Sequence, residues 1–111
     1  LIQFENGSSG VVAYYANGSK SMTKEYVEVF SAGMSATLHD FKELKIFGKG
    51  KPKKEKFFNQ NKGQKEMVNA FVNGLLTDGK APISFEEIIA VTKASFKVIE
   101  SVKRGGEQVE V

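Results

Sequence analysis

The hydrophobic pattern changes period near residue 60, and that change limits the fold more than any other feature of the chain. Before it, apolar residues come in short extended runs broken by Gly, Asn and Ser. After it, Met67, Val68, Phe71, Val72, Leu75 and Leu76 recur at spacings of three and four, the stripe of an amphipathic helix. Strands first and helices afterwards predict an α+β domain. The expected architecture is a mainly antiparallel, partly mixed sheet with two amphipathic helices packed on one face. Residues 1–111 are read as one domain, with strands over about 1–58, helices over about 61–77 and 85–104, and a short final strand at 108–111.

Leu1 to Glu5 is an extended run ended by Asn6-Gly7-Ser8-Ser9-Gly10. Val11 to Tyr15 is rich in β-branched and aromatic residues and is expected to be a strand. Asn17-Gly18 then offers the positive φ of a tight hairpin. Tyr26 to Phe30, Ser35 to Leu38, Leu44 to Phe47 and Lys54 to Phe58 are the next strands, separated by Ser31-Ala32-Gly33, the surroundings of Asp40, and Gly48 to Pro52. Connections this short favour antiparallel neighbours, because a parallel pair needs a long crossover. Alternation in these strands is imperfect, so some are expected to be apolar on both faces.

In the second half, Thr77-Asp78-Gly79 stops the first helix, with Gly79 suited to a left-handed position. Ser84 and Glu87 have the spacing of a capping box, and Ile83 and Ile88 that of a hydrophobic staple. Phe85, Ile88, Ile89, Phe96, Ile99 and Val102 form the second apolar stripe. Lys97, Lys103 and Arg104 suit the C-terminal end of that dipole, and Gly105-Gly106 closes the helix.

Composition narrows the chemistry. The absence of cysteine removes a disulfide framework, a thiol nucleophile and thiolate-bound zinc, and fits a reducing cytoplasm. No apolar run approaches the roughly 20 residues that cross a bilayer as a helix. The Asn-Gly-Ser triplets at Asn6 and Asn17 read as turns rather than glycosylation sites. The chain opens at Leu1 inside a strand-like run, which leads to the expectation of a domain from a larger protein. Net charge is only +3, and most of the excess lies between Lys49 and Lys56.

Each candidate for chemistry has a plainer reading. His39 is the only histidine, and on a strand its side chain and that of Asp40 point to opposite faces, so it reads as a structural or surface residue. Gly48-Lys49-Gly50-Lys51 lacks the spacing of a phosphate loop and reads as a solvated hairpin tip. Lys49, Lys51, Lys53, Lys54 and Lys56, followed by Phe57-Phe58, have the makings of a nucleic-acid patch with stacking aromatics. Lysines at a strand edge also prevent edge-to-edge aggregation. Glu86 and Glu87 complement the start of a helix dipole. On residues alone, this chain supplies no catalytic, cofactor-binding or metal-binding set.

The order of several short pieces resembles the C-terminal domain of Gfo/Idh/MocA-type oxidoreductases. Phe4-Glu5-Asn6-Gly7-Ser8 followed by Val11 to Tyr15 is similar to a strand pair of that family. Glu28-Val29-Phe30 with Gly33 and then Asp40-Phe41 is similar to its next stretch. Lys62-Gly63-Gln64 with Glu66 and Phe71 resembles its first helix. Pro82-Ile83-Ser84-Phe85-Glu86-Glu87, Thr92, Phe96, Glu100-Ser101 and the closing Gly105-Gly106 resemble its second. The resemblance spans nearly the whole chain, and the variety it most resembles is the C-terminal part of bi-domain oxidoreductases.

That resemblance implies a parent enzyme binding NAD or NADP in an N-terminal Rossmann domain and moving hydride to or from a sugar or polyol. It implies that this chain is the substrate-side and oligomerisation domain, a homodimer through its sheet, cytoplasmic and not catalytic in isolation. The family's Glu-Lys-Pro lysine and Asp-x-x-x-His motif have no matching positions here, and His39 takes no role from them. The lysine run and the histidine beside Asp40 depart from the family pattern. The alternative is a stand-alone interaction module, a weak nucleic-acid binder through Lys49 to Lys56.

Overall fold

A computed structural model describes all residues, 1–111. It is an α+β fold with antiparallel sheets, as the change of period predicts. The chain divides into two compact units, residues 1–62 and 63–111. Neither unit fully buries a side chain.

The first unit holds all the strands. β1 (Ile2–Gln3) and β2 (Ser9–Gly10) form a small antiparallel pair. Its turn is closed by the Phe4 amide donating to the Ser8 carbonyl at 2.9 Å, with Gly7 at φ 82°. The Asn6 carboxamide oxygen accepts from the Ser8 amide at 3.0 Å, so this Asn-Gly-Ser triplet is a turn.

β3 (Tyr26–Ser31), β4 (Met34–His39), β5 (Glu43–Phe47) and β6 (Lys53–Lys56) form a four-stranded meander in chain order. Ala32 and Gly33 connect β3 to β4 with φ of 48° and 76°. Positive φ at both central residues makes a turn whose twist matches that of the strands. Asp40 and Phe41, at φ 51° and 52°, begin the β4–β5 connection. Left-handed backbone is unfavourable for a phenylalanine and must be held by its surroundings. Here the Asp40 amide donates to the Glu25 carbonyl at 2.7 Å, the Phe41 carbonyl accepts from the Asn61 amide at 3.0 Å, and the Lys42 carbonyl accepts from the Phe57 amide at 2.8 Å.

Register sorts the sheet into two unlike faces. Successive residues of a strand point to opposite sides, so the pairing assigns every residue. Val27, Val29, Met34, Ala36, Leu38, Leu44 and Ile46 share one face. Tyr26, Glu28, Phe30, Ser35, Thr37, His39, Glu43, Lys45, Phe47, Lys54 and Lys56 share the other, with Phe30, Ser35 and Phe47 in one row at its end. As expected, some strands carry apolar side chains on both faces: β3 has Val27 and Val29 on one and Tyr26 and Phe30 on the other, and β5 has Leu44 and Ile46 on one and Phe47 on the other. The aliphatic residues of β3 and β4 collect on one side, and that side stays open within the unit, with Val27 44% and Val29 53% exposed.

Further expectations are corrected. Val11 to Tyr15 forms no strand. The β1–β2 pairing covers only Ile2 with Gly10 and Gln3 with Ser9, and no strand pairs with the segment that follows. Strand propensity without a neighbour to pair does not make a strand. Asn17-Gly18 is a bend with no hairpin around it, for the same reason. Gln108 to Val111 is not a strand either. Ser101 donates its hydroxyl to the Glu107 carbonyl at 2.6 Å, and Val111 lines a shallow hollow with Phe85 and Ile89. The sheet expected to be partly mixed is antiparallel throughout, and its last strand stops at Lys56 rather than Phe58.

The second unit holds α1 (Gln64–Thr77) and α2 (Phe85–Lys103). α1 begins three residues later than expected, because Gly63 at φ 71° turns the chain into its first amide–carbonyl bond, from Met67 to Gly63 at 2.8 Å. Gly79 follows its end at φ 63°. α2 has the predicted capping box: the Ser84 hydroxyl accepts from the Glu87 amide at 3.2 Å, and the Glu87 carboxylate from the Ser84 amide at 3.0 Å. Its C-terminus is a Schellman closure, with the Gly106 amide on the Ser101 carbonyl at 2.8 Å and the Gly105 amide on that of Val102 at 3.1 Å. Neither helix is long and apolar enough to cross a membrane. The stripes of α1 and α2 remain open within the unit, with Leu75 47% and Ile89 38% exposed.

Candidate functional site

The strongest concentration of organised polar side chains lies on the polar face of the four-stranded sheet, and it is built by register. Pairing sets Glu43 opposite Lys56 and Lys45 opposite Lys54 on neighbouring strands. Directly opposed side chains stand close enough for ion pairing. The Glu43 carboxylate receives Lys45 at 2.7 Å, Lys56 at 3.1 Å and Lys54 at 3.2 Å. Hydrogen bonds from Lys45, then Lys56, hold its carboxyl well below the usual range, at about 2. Each pair is solvated and individually weak, but three cations on one carboxylate act as a network. Three ammoniums against one carboxylate leave two positive charges over.

The neighbouring row continues across the sheet. His39 is opposite Glu43 on one side and Tyr26 on the other. Its ring meets that of Tyr26 edge-on, with centroids 4.7 Å apart and planes at 63°. The Tyr26 hydroxyl donates to Glu28 at 3.0 Å, and that bond to an anion raises the phenol's pKa. Charge on this face is therefore graded, negative at Glu28 on β3 and positive at β5 and β6.

A second cluster ties the strand ends together. The Gln60 carboxamide donates to Asp40 at 2.8 Å and to Glu25 at 3.2 Å. Lys62 pairs with Glu25 and lies 5.6 Å from the centre of the Phe41 ring. This arrangement clamps the strained Asp40-Phe41 turn. Its carboxylates already accept hydrogen bonds from Gln60, so it reads as structural.

The residues singled out in the sequence are dispersed by the fold. His39 is a cross-strand packing partner of Tyr26, and Asp40 belongs to the turn clamp. The lysine run is split by the two-residue period of β6. Lys54 and Lys56 join the polar face, while Lys53 and Glu55 lie on the apolar side opposite Ile46 and Leu44. Lys49 and Lys51 are in the β5–β6 turn. Phe58 is 98% exposed beyond the strand. Glu87 closes the capping box, and Glu86 lies in the same first turn of α2.

Sequence reasoning missed Glu43 and Lys45. They lie outside the basic run, and only cross-strand pairing makes them its neighbours. It also missed Glu25, Gln60 and Lys62 around the Asp40 turn, whose contacts with one another span up to 37 residues of chain. No known protein family, curated protein or solved structure matches the chain.

Proposed function

We propose that this chain is the substrate-side and assembly domain of an NAD(P)-dependent sugar or polyol dehydrogenase of the Gfo/Idh/MocA type, working in the cytoplasm. In this reading NAD or NADP sits in an N-terminal Rossmann domain and accepts or donates the hydride. The catalytic lysine and histidine come from that partner domain. The sheet of this chain supplies a wall of the substrate cleft and the contact between two subunits.

The observation that carries the reading is the two-sided sheet. One face presents hydroxyl, carboxylate, imidazole and ammonium groups suited to a polyhydroxylated ligand, with the Phe30 and Phe47 rings at its end. The other face and both helix stripes present apolar surface that each unit leaves open. Open apolar surface of this extent is a property of modules made to be covered. The ordered set of motif resemblances, from Phe4-Glu5-Asn6-Gly7 to Gly105-Gly106, points the same way.

The test begins with the coding sequence on either side of residues 1–111. A Gly-rich strand-turn-helix, a Glu-Lys-Pro motif and an Asp-x-x-x-His motif ahead of Leu1 are expected. The full gene product should then reduce NAD or NADP with members of a sugar and polyol panel, read as absorbance of the reduced nicotinamide. A full-length product with no dinucleotide-binding half sinks the proposal. The 111-residue chain by itself should not bind NADH, since it has no glycine-rich βα turn. Saturable micromolar fluorescence titration would refute that part.

A further inference from the structure

The cations left over on the polar sheet face need an account. A lone surface lysine is mobile and hydrated, and it selects nothing. Lys45, Lys54 and Lys56 differ because one carboxylate gathers all three ammoniums. Glu43 is itself only 20% exposed and sits on the inner strand β5, so it fixes the heads against the sheet. Each ammonium carries three donors and uses one on Glu43. The others project from the same patch, already ordered, which lowers the entropy lost when an anion binds.

We propose that Lys45, Lys54 and Lys56, gathered by Glu43, form a recognition site for a dianionic phosphate monoester, the phosphate end of a phosphorylated sugar or polyol. The sugar part of that assignment rests on the dehydrogenase reading, and the phosphate part does not. Three ammoniums and one carboxylate leave a charge of two, which a phosphate monoester balances. Lysine recognises an anion as a point charge rather than through a fork, so the site selects by charge and leaves the rest of the ligand free. Thr37 lies opposite Lys45 on the same face and offers a neutral hydroxyl beside the charged group.

The surroundings do not cancel this charge. Glu28, the other carboxylate on the polar face, is two strands from β5 and already accepts from Tyr26. Two strand spacings amount to about 10 Å, close to the distance over which physiological salt screens a charge. Lys53 and Glu55 lie on the opposite face and offset each other. Lys49 and Lys51 in the adjoining turn add attraction at long range.

The experiment is an NMR titration of the isotopically labelled 111-residue chain with glucose 6-phosphate, with inorganic phosphate and with glucose, at low ionic strength. The expected result is saturable binding of both phosphates, with shifts centred on β5 and β6, and no saturation with glucose over the same range. Replacing two of the gathered cations in a Lys54→Gln/Lys56→Gln variant should weaken phosphate binding by about tenfold or more. Lys49→Gln/Lys51→Gln removes the same charge from the turn and should weaken it by less than half as much. All four positions are exposed, so amide dispersion should be retained in both variants.

Equal loss in the two variants, or shifts that grow linearly without saturating, would overturn the site. So would tighter binding of a single-stranded oligonucleotide than of the sugar phosphate, which would assign the patch to nucleic acid. The titration needs neither cofactor nor turnover. Phosphate binding in a gene product without a dinucleotide half leaves this site standing and removes the dehydrogenase reading. Polyol oxidation by the full protein with no phosphate binding here does the reverse.

Discussion

Gly74 sits inside α1, where alanine would ordinarily be the better residue. In an exposed helix interior, glycine costs about 1 kcal/mol relative to alanine. The structure supplies a reason for it. The chain leaving α1 folds back so that the Lys80 amide donates to the Gly74 carbonyl at 3.2 Å, alongside the Asp78 amide at 3.0 Å. A Cβ on residue 74 would fall well under 3.0 Å from the Lys80 backbone carbonyl oxygen, with the Pro82 ring 4.0 Å away. A backbone oxygen cannot swing aside as a side chain does. To restore ordinary contact the return turn must retreat by about 1 Å, which strains packing by about 1–3 kcal/mol. It also loses the Lys80 hydrogen bond, for about another 1 kcal/mol. Against the propensity gain of about 1 kcal/mol, Gly74→Ala should destabilise the helical unit by about 1–3 kcal/mol. Urea unfolding followed by circular dichroism at 222 nm reads this directly. With a slope of about 1 kcal/mol/M, the midpoint should fall by about 1–3 M. Asn73→Ala, one residue earlier on the same helix, is the control and should raise the midpoint slightly. A Gly74→Ala midpoint that rises in step with Asn73→Ala would show that the close return of Lys80 is not populated in solution.

Other outcomes follow from single observations. Ala32 holds a left-handed φ in the β3–β4 turn, so Ala32→Asn creates an Asn-Gly pair and should stabilise the meander by about 1 kcal/mol, seen as a higher melting temperature. Ser84→Ala removes the side-chain half of the capping box and should cost about 1 kcal/mol, with faster amide exchange at Glu87. Glu43 has its carboxyl lowered to about 2 by the lysines around it, so its contribution to stability is complete above its unfolded pKa of about 4.5 and is lost as pH falls towards about 2. Glu43→Gln should therefore flatten the acid limb of the stability profile between those values, and an unchanged limb would remove the ion network from the folded state.

Much of the fold was legible in the sequence because its cause is local. The capping box needs only Ser84 and Glu87 three residues apart, and the stops of both helices need only Gly79, Gly105 and Gly106 in left-handed backbone. The hairpin strands from Tyr26 to Lys56 are short, close in sequence and joined by turn residues, so each finds its partner next in the chain. The mistaken strands share one cause. Val11 to Tyr15 and Gln108 to Val111 have the composition of strands, but a strand exists only where another strand accepts its hydrogen bonds. No local pattern states whether that partner is present.

The candidate site follows the same division. The amino-acid order determined an α+β chain with a basic segment near residue 50, two capped amphipathic helices and a run of hairpins, since periodicity, capping and turn chemistry act within a few residues. The tertiary structure decided which lysines act together. A two-residue period sends Lys54 and Lys56 to one side and Lys53 to the other, and the β5–β6 register then brings the first two to Glu43 and Lys45. A shift of one residue would have reversed the faces of β6. The register is set by backbone pairing between strands, a relation between distant residues, and for that reason the gathered cations are a property of the folded sheet and not of the basic run.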